Sequence, residues 1–271
     1  MPVMPYTFIS FGSGSCGNCY YLGTQNDAIL IDSGIGIRQL KRHFITYGVR
    51  RGNIRAIFIT HDHRDHVLSA GMMSADIGIP VYALPQVHSG MLRDRVMSKK
   101  VQSSYRLPIE VGVPVQVADF TVTAFPLPHD ASANVGYTVE LGDCVFTVMT
   151  DVGAVTPEVQ TAIGNSTHLV FEANYDPQML LAGRYPYYLK KRITDGTGHL
   201  SNFQTASALI ENMHPGLRRV WLCHLSEENN RPEVARKTVE AQLNSAGTAM
   251  ASDFQLQVLR RKEPTGPFEI S

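Results

Sequence analysis

The sequence has no excess of either charge: 24 lysines and arginines balance 24 aspartates and glutamates over 271 residues. That balance excludes a chain coated in positive charge, though it leaves room for a local basic groove. No apolar run reaches the ~20 residues needed to span a bilayer. The opening Met1-Pro2-Val3-Met4-Pro5 lacks a charged stretch followed by an apolar core, so no signal peptide is expected. Cysteine is scarce, with only Cys16, Cys19, Cys144 and Cys223. Cys16 and Cys19 form a C-x-x-C, but it lies in a Gly/Ser-rich turn and no second pair follows to complete a zinc motif. All four read as reduced, mostly buried side chains of a cytoplasmic protein. The same turn, Gly12 to Asn18, lacks a P-loop lysine and reads as a plain hairpin turn. There is no short repeat and no linker.

What the sequence does have is a cluster. Ala56 to Ile59 is a short apolar run of the kind that forms a strand buried on both faces. His61, His63, Asp65 and His66 follow within six residues, before a helix expected over Val67 to Ile77. Ligands in open α/β sheets gather at the carboxyl ends of strands. His61 and His63, two apart on extended chain, project to one side. Imidazole pairs suit zinc, iron or manganese, and an added carboxylate suits a second, harder ion.

The pattern recurs. Strands are expected at Tyr6–Phe11, Cys19–Leu22, Ala28–Ile31, Pro80–Leu84, Val113–Val117, Phe120–Phe125, Val135–Leu141, Cys144–Met149, His168 to Asn174 and, as the last core strand, Arg219 to His224. Helices are expected at Ile37–Tyr47 (with Leu40, Phe44 and Ile45 on one face), Pro85–Met97, from Pro157, in two short pieces over Asp176–Lys191, at Phe203–Met213 and, closing the chain, at Glu233–Leu243. His88 reads as a lone surface histidine. Several strands end in ligand-type residues: His129 after Phe125, Asp151 after Met149, His224 after Cys223. Asp32 ends another, either capping a turn or fixing the tautomer of a metal-bound histidine from behind. His61, His63 and His129 can form one site and Asp65, His66 and His224 another, with Asp151 bridging. Two such ions about 3.5–4 Å apart hold a hydroxide between them. The alternation of strand, hairpin and helix suggests two similar halves sharing one core, in a single domain over 1–271 whose tail from about 260 is loosely ordered.

His61-Asp-His-Arg-Asp-His66 resembles the H-x-H-x-D-H signature of the metallo-β-lactamase superfamily, and His129, Asp151, His224 and Asp32 match its other motifs in chain order. The resemblance covers nearly the whole chain and implies a four-layer αβ/βα sandwich of two mixed sheets. The turn Gly14-Ser-Cys-Gly-Asn18, Glu172-Ala-Asn-Tyr175, Tyr185-Pro, Gly198-His-Leu-Ser-Asn202 and His224-Leu-Ser226 resemble the bacterial YycJ/WalJ-like group of nucleases. True β-lactamases of this kind place a cysteine where Asp151 stands and a non-histidine where His66 stands. A diiron oxygen-reducing relative places an acid where His63 stands. Antibiotic hydrolysis and redox chemistry are therefore disfavoured.

His199 in Gly198-His-Leu-Ser201 resembles the H-x-[ST] histidine of the tRNA 3′-processing relatives, and Glu172 the glutamate that backs it. The resemblance implies a phosphodiesterase using two divalent ions (Zn2+ or Mn2+, or Fe2+), with a bridging hydroxide, Asp65 at the catalytic centre and His199 as general acid held protonated by Glu172. Ser201 and Asn202 at the helix start, with Asn174, Tyr185 and Lys191, are candidate substrate contacts. The segment Arg184 to Arg192 reads either as tyrosines that stack on bases beside phosphate-binding cations or as an ordinary amphipathic helix. Lys99-Lys100 and Arg218-Arg219 read as surface charge, and Arg64 faces either substrate or solvent. The expected partner is nucleic acid, with no membrane; the oligomeric state is open, a homodimer among the options. Two rivals remain: a glyoxalase II-type thioester hydrolase, which shares the metal ligands but needs neither His199 nor Glu172, and a non-enzymatic interaction protein using metals for structure.

Overall fold

A computed structural model describes residues 6–246 and 254–271, so the N-terminal segment 1–5 lies outside the described residues. In chain order the strands are β1 (Tyr6–Gly12), β2 (Cys19–Gly23), β3 (Ala28–Ile31), β4 (Ile54–Phe58), β5 (Val81–Ala83), β6 (Arg106–Pro108), β7 (Val115–Val117), β8 (Phe120–Pro126), β9 (Val135–Leu141), β10 (Cys144–Met149), β11 (His168–Glu172), β12 (Arg219–Cys223), β13 (Gln255–Val258) and β14 (Thr265–Ile270). The helices are α1 (Ile37–Thr46), α2 (Arg64–Val67), α3 (Ala70–Ile77), α4 (Pro85–Arg93), α5 (Pro157–Asn165), α6 (Pro177–Ala182), α7 (Tyr187–Thr194), α8 (Asn202–Asn212) and α9 (Pro232–Ser245).

The strands form two mixed seven-stranded sheets, ordered β14-β1-β2-β3-β4-β5-β6 and β13-β12-β11-β10-β9-β8-β7. Each follows one plan. In the first, β14, β1, β2 and β3 run antiparallel to their neighbours, then β3 to β6 pair in parallel. In the second, β7–β8 and β9–β10 are antiparallel hairpins, and β10 to β13 pair in parallel. Parallel strands are covered on both faces by their crossover helices, so they read as unbroken apolar runs: β3 and β11 are buried along their whole length.

The chain divides into two compact units. One runs to Ala124 and includes Ala131–Asn134 and Arg260–Ser271; the other holds Phe125–Asp130 and Val135–Leu259. Each has its own apolar cluster, with Leu30, Phe44, Ile57 and Val81 in the first and Phe171, Leu209, Leu222 and Val239 in the second.

Seven expectations are corrected. The tail is not loose. β14 pairs with β1, Phe268 stacks on Phe8 with ring centroids 5.9 Å apart, and Ile270 is buried. The polar Arg260–Glu263 turn hid the alternation of Phe268 and Ile270 that makes this a half-buried strand. β12 is likewise not the last core strand, since β13 follows it in parallel. The helix after the histidine cluster breaks at Leu68-Ser69 because its hydrogen bonds go elsewhere. Asp65 O, which would accept from Ser69 in a continuous helix, takes Asn18 N at 2.7 Å, and Ser69 N turns to Ser33 O at 2.8 Å. The helix from Pro85 stops at Arg93, where Asp94 Oδ1 accepts from Met97 N at 2.9 Å and Lys100 Nζ, far from plain surface charge, donates to Met91 O at 2.8 Å. On α1, Leu40 and Phe44 are buried but Ile45 is 83% exposed, one residue off the apolar stripe. His88 is buried, with Nε2 3.1 Å from Leu107 O, so it serves the α4–β6 contact and is not a surface group.

Candidate metal centre and catalytic dyad

In the first unit the ligand-type residues hang from the ends of β3 and β4. Asp32, the residue after β3, is buried and sits at φ +61°, a left-handed conformation uncommon outside glycine. Its carboxylate accepts from Thr60 N at 2.9 Å and from the Thr60 hydroxyl at 3.0 and 3.1 Å, and it lies 2.7 Å from His66 Nδ1. With its proton committed to Asp32, the Thr60 hydroxyl accepts from His61 Nδ1 at 3.0 Å. Burial pushes the Asp32 carboxyl above the usual carboxylate range, and His66 and Thr60 only partly counter it. The rings of His61 and His66 are 4.0 Å apart, and His63 lies edge-on to His61 at 4.7 Å. Gly34 admits the cluster's backbone, because a Cβ there would lie 1.6 Å from Asp65 O. The Asn18 side chain reaches Asp65 Oδ2 at 3.3 Å and His66 Nε2 at 2.9 Å. Asp62, between the two histidines, points away and accepts from Ser132 N at 3.2 Å.

In the second unit the chemistry gathers at the carboxyl ends of β10, β11 and β12. Asp151 (φ +57°) and His224 (φ +51°) repeat the left-handed conformation of Asp32; Ala118 in the β7–β8 turn also has positive φ. Such strain costs on the order of 1–3 kcal/mol per residue and clusters at functional sites. Glu172, fully buried, is the hub. Its Oε1 lies 2.9 Å from His199 Nδ1 and 3.0 Å from His224 Nδ1, and its Oε2 accepts from Val152 N at 2.9 Å and Leu200 N at 3.1 Å. Donor atoms of Asp151, Glu172, His199 and His224 all lie within 4.8 Å of one another. Burial by itself raises the Glu172 pKa, but the His199 charge and the imidazole hydrogen bonds outweigh it and hold the carboxyl below its ordinary range. Burial opposes a charge on His199, yet the Glu172 and Asp151 carboxylates prevail and raise its pKa. His129 Nδ1 donates to Gly198 O, 3.0 Å away: a carbonyl can only accept, so Nδ1 carries the proton. Asn174 donates to His224 O at 2.8 Å.

The pattern described as "Beta-lactamase superfamily domain" matches residues 27–225. Over 256 residues the chain is 31% identical to Exodeoxyribonuclease WalJ of Streptococcus pneumoniae serotype 2 (strain D39 / NCTC 7466), spanning 94% of this chain and 95% of that one. Exodeoxyribonuclease YycJ of Bacillus anthracis is 29% identical over 258 residues, 95% of this chain and 97% of that one. The chain belongs to the metallo-β-lactamase superfamily and to its WalJ/YycJ group. Among solved structures, Zn(2+)-bound PqqB from Methylobacterium extorquens shares the fold, with a TM-score of 0.71 at 18% identity over 96% of this chain and 99% of that one.

The superfamily fold implies divalent metal ions, and the donors present suit them. In His61, His66, His129 and His224 the Nδ1 atom is engaged by Thr60, Asp32, Gly198 O and Glu172 respectively, which fixes the tautomer and makes Nε2 the atom each would offer an ion; at His66 that atom is met here by the Asn18 amide at 2.9 Å. Glu172 meets the same four-residue cluster, but both its oxygens are already committed, so it orients imidazoles and does not itself ligate.

The substrate contacts fare differently. Ser201 is the N-cap of α8 in a full capping box with Gln204. Asn202 is corrected as a substrate contact: it is fully buried and bonded to Asn230 at 3.1 and 2.9 Å. Asn230 in turn donates to Ala173 O and Asn174 O at 2.9 and 3.0 Å, fastening the end of β11 to α8. Tyr185 is half-buried between α6 and α7, and Lys191 is exposed on α7. Thr60 and Asn230 carry no sequence signal beyond position, and Asn18 was legible only as part of a small-residue turn. Of the C-x-x-C pair, Cys19 is buried and Cys16 is exposed. None of the four cysteines is in a disulfide, and burial pushes the Cys19 thiol up, which keeps it protonated and unreactive. No helix among the described residues is long and apolar enough to cross a membrane.

Proposed function

We propose that the protein is a metal-dependent phosphodiesterase that degrades DNA from a strand end. The observation that carries this reading is the Glu172–His199 pair at 2.9 Å, with the imidazole one-fifth exposed and the carboxylate fully buried. His61, His63, Asp65 and His66 in the first unit, and His129, Asp151 and His224 in the second, are the residues that would hold divalent ions, zinc or manganese. When bound, such ions lower the pKa of a water and stabilise charge on phosphoryl oxygens.

The rest of the work falls to the chain. His199 Nδ1 is fixed on Glu172, so Nε2 is the atom that presents a proton to substrate. As a water-derived oxygen bonds to phosphorus, the P–O bond to the leaving group breaks; its electron pair goes to the leaving alkoxide oxygen, which takes the Nε2 proton. Glu172 keeps His199 protonated beforehand and orients it afterwards. A thioester hydrolase expels a thiolate, which leaves without a proton and gives this pair nothing to do. The relatives named exodeoxyribonucleases support a nucleic-acid substrate and terminal attack. Four cysteines outside any disulfide support a cytoplasmic setting.

The test is hydrolysis of bis-p-nitrophenyl phosphate and of end-labelled DNA by protein loaded with manganese or zinc. Stepwise release of nucleotides is expected; cleavage of neither substrate overturns the reading.

A further inference from the structure

Helix α7 is built unlike the other helices. It runs eight residues, Tyr187–Thr194, and buries none of them. Tyr187 is 81% and Tyr188 73% exposed, and Leu181, at the end of α6, is 72% exposed. Single exposed apolar residues need no explanation, but adjacent aromatics on a helix that contributes nothing to the core do. Aromatic residues are also poor helix formers, so propensity does not account for them.

What holds α7 is polar and sits at its ends. Lys190 Nζ donates to Leu181 O at 2.6 Å, and Arg192 pairs with Asp130, the neighbour of His129. His199 N donates to Ile193 O at 2.9 Å, and Gly198 packs so closely under the helix that a Cβ there would lie 2.2 Å from Ile193 O. The helix is therefore fastened to the general acid itself. At 1.5 Å per residue, Tyr187 stands roughly 9 Å along the axis from that anchor. Each tyrosine also has a cation one turn on, Lys191 for Tyr187 and Arg192 for Tyr188.

We propose that α7 is a stacking platform for unpaired bases of a single-stranded nucleic acid, which gives the enzyme a preference for single strands or frayed ends over duplex. The inference rests on the phosphodiesterase reading above. Flat π-faces beside cations match a strand whose bases alternate with phosphates, and a paired base offers no free face. An apolar protein partner would not call for the interleaved lysine and arginine.

The experiment uses full-length protein stripped of metal by chelation, so that binding is read without cleavage. Fluorescence anisotropy with labelled single-stranded DNA should show Y187A/Y188A binding at least about fivefold more weakly, while Y187F/Y188F keeps wild-type affinity. Duplex affinity should change little. K191A should lower the slope of log affinity against log salt by about 0.7, the share of one phosphate contact. Hydrolysis of bis-p-nitrophenyl phosphate by the metal-loaded double variant should match wild type, since no tyrosine here touches the reacting atoms. Unchanged single-strand affinity in Y187A/Y188A overturns the platform and leaves the phosphodiesterase reading standing. So does a drop in oligomeric state on light scattering, which would make α7 a contact between copies. Wild-type protein that hydrolyses the small ester but binds no DNA overturns the nucleic-acid reading, and the platform with it.

Discussion

Asp32 and Glu172 are the same device in the two units: a buried carboxylate at the end of a parallel strand, facing imidazole Nδ1 atoms. Their charges are nevertheless held differently. Asp32 faces one ring, His66, and Thr60, and burial dominates, so its pKa rises. Glu172 faces His199 and His224, whose charge and hydrogen bonds outweigh burial, so its pKa falls; two backbone N–H groups also donate to it. One carboxylate has its pKa raised by burial and serves to orient a ring. The other is a secure anion and can keep a ring charged. The number of donors around each separates orientation from proton supply.

The widest gap between the two should appear in turnover. On the reading proposed above, replacing His199 by alanine removes the proton donor, and general acid catalysis is worth about 10²–10⁴-fold. That loss in kcat is expected on DNA, whose alkoxide leaving group needs the proton. On bis-p-nitrophenyl phosphate, whose phenolate departs unaided, His199→Ala should stay near wild type. Equal losses on both substrates would make His199 a structural residue and erase the contrast with His66.

A third buried imidazole shows what happens with no carboxylate nearby. His168 begins β11, the strand that Glu172 ends. Its Nδ1 lies 2.9 Å from Thr167 Oγ1 and 3.4 Å from Cys144 Sγ, and burial, with the charges of Arg218 and Arg219, lowers its pKa to about 4. Burial also raises the Cys144 thiol, so the pair is no nucleophilic dyad. The unfolded chain takes up this proton near pH 6.5 and the folded chain only near about 4. Unfolding therefore gains a proton in that window, and stability falls as pH drops through it, by at most about 3 kcal/mol. In urea titrations from pH 7 to 4, His168→Gln should flatten that decline by up to one proton; an unchanged slope would mean that His168 is not held neutral.

The candidate metal ligands stood out in the sequence because their spacing is a covalent fact. His61, His63, Asp65 and His66 lie within six residues, and His129, Asp151 and His224 each follow an apolar run. Glu172 and His199 were legible by the same strand-end and helix-start logic. What failed was anything decided by competition for hydrogen bonds. The break after Val67 depends on Asn18 taking Asp65 O, a partner distant in sequence. Ser201 and Asn202 looked available for substrate, yet Gln204 and Asn230 had already claimed them. The tail was misjudged because four charged residues masked a strand whose partner, β1, lies at the other end of the chain.

The subtlest contrast is one of sign. In metal-stripped protein, Glu172→Gln replaces a carboxylate that four donors favour as an anion, so the variant should lose stability, by about 1–3 kcal/mol. Asp32→Asn removes a buried charge that its surroundings under-compensate, and asparagine tolerates the left-handed φ of +61°. Its stability in urea should hold or rise. The same Asp32→Asn should retain metal about 10–100-fold less tightly, because an amide N–H aimed at His66 Nδ1 forces the proton onto Nε2, the ligand atom. Stability is read by urea midpoint and metal by content after dialysis against chelator. If both variants lose stability alike, the two carboxylates are equivalent supports, and the number of donors around each does not decide which ring is charged.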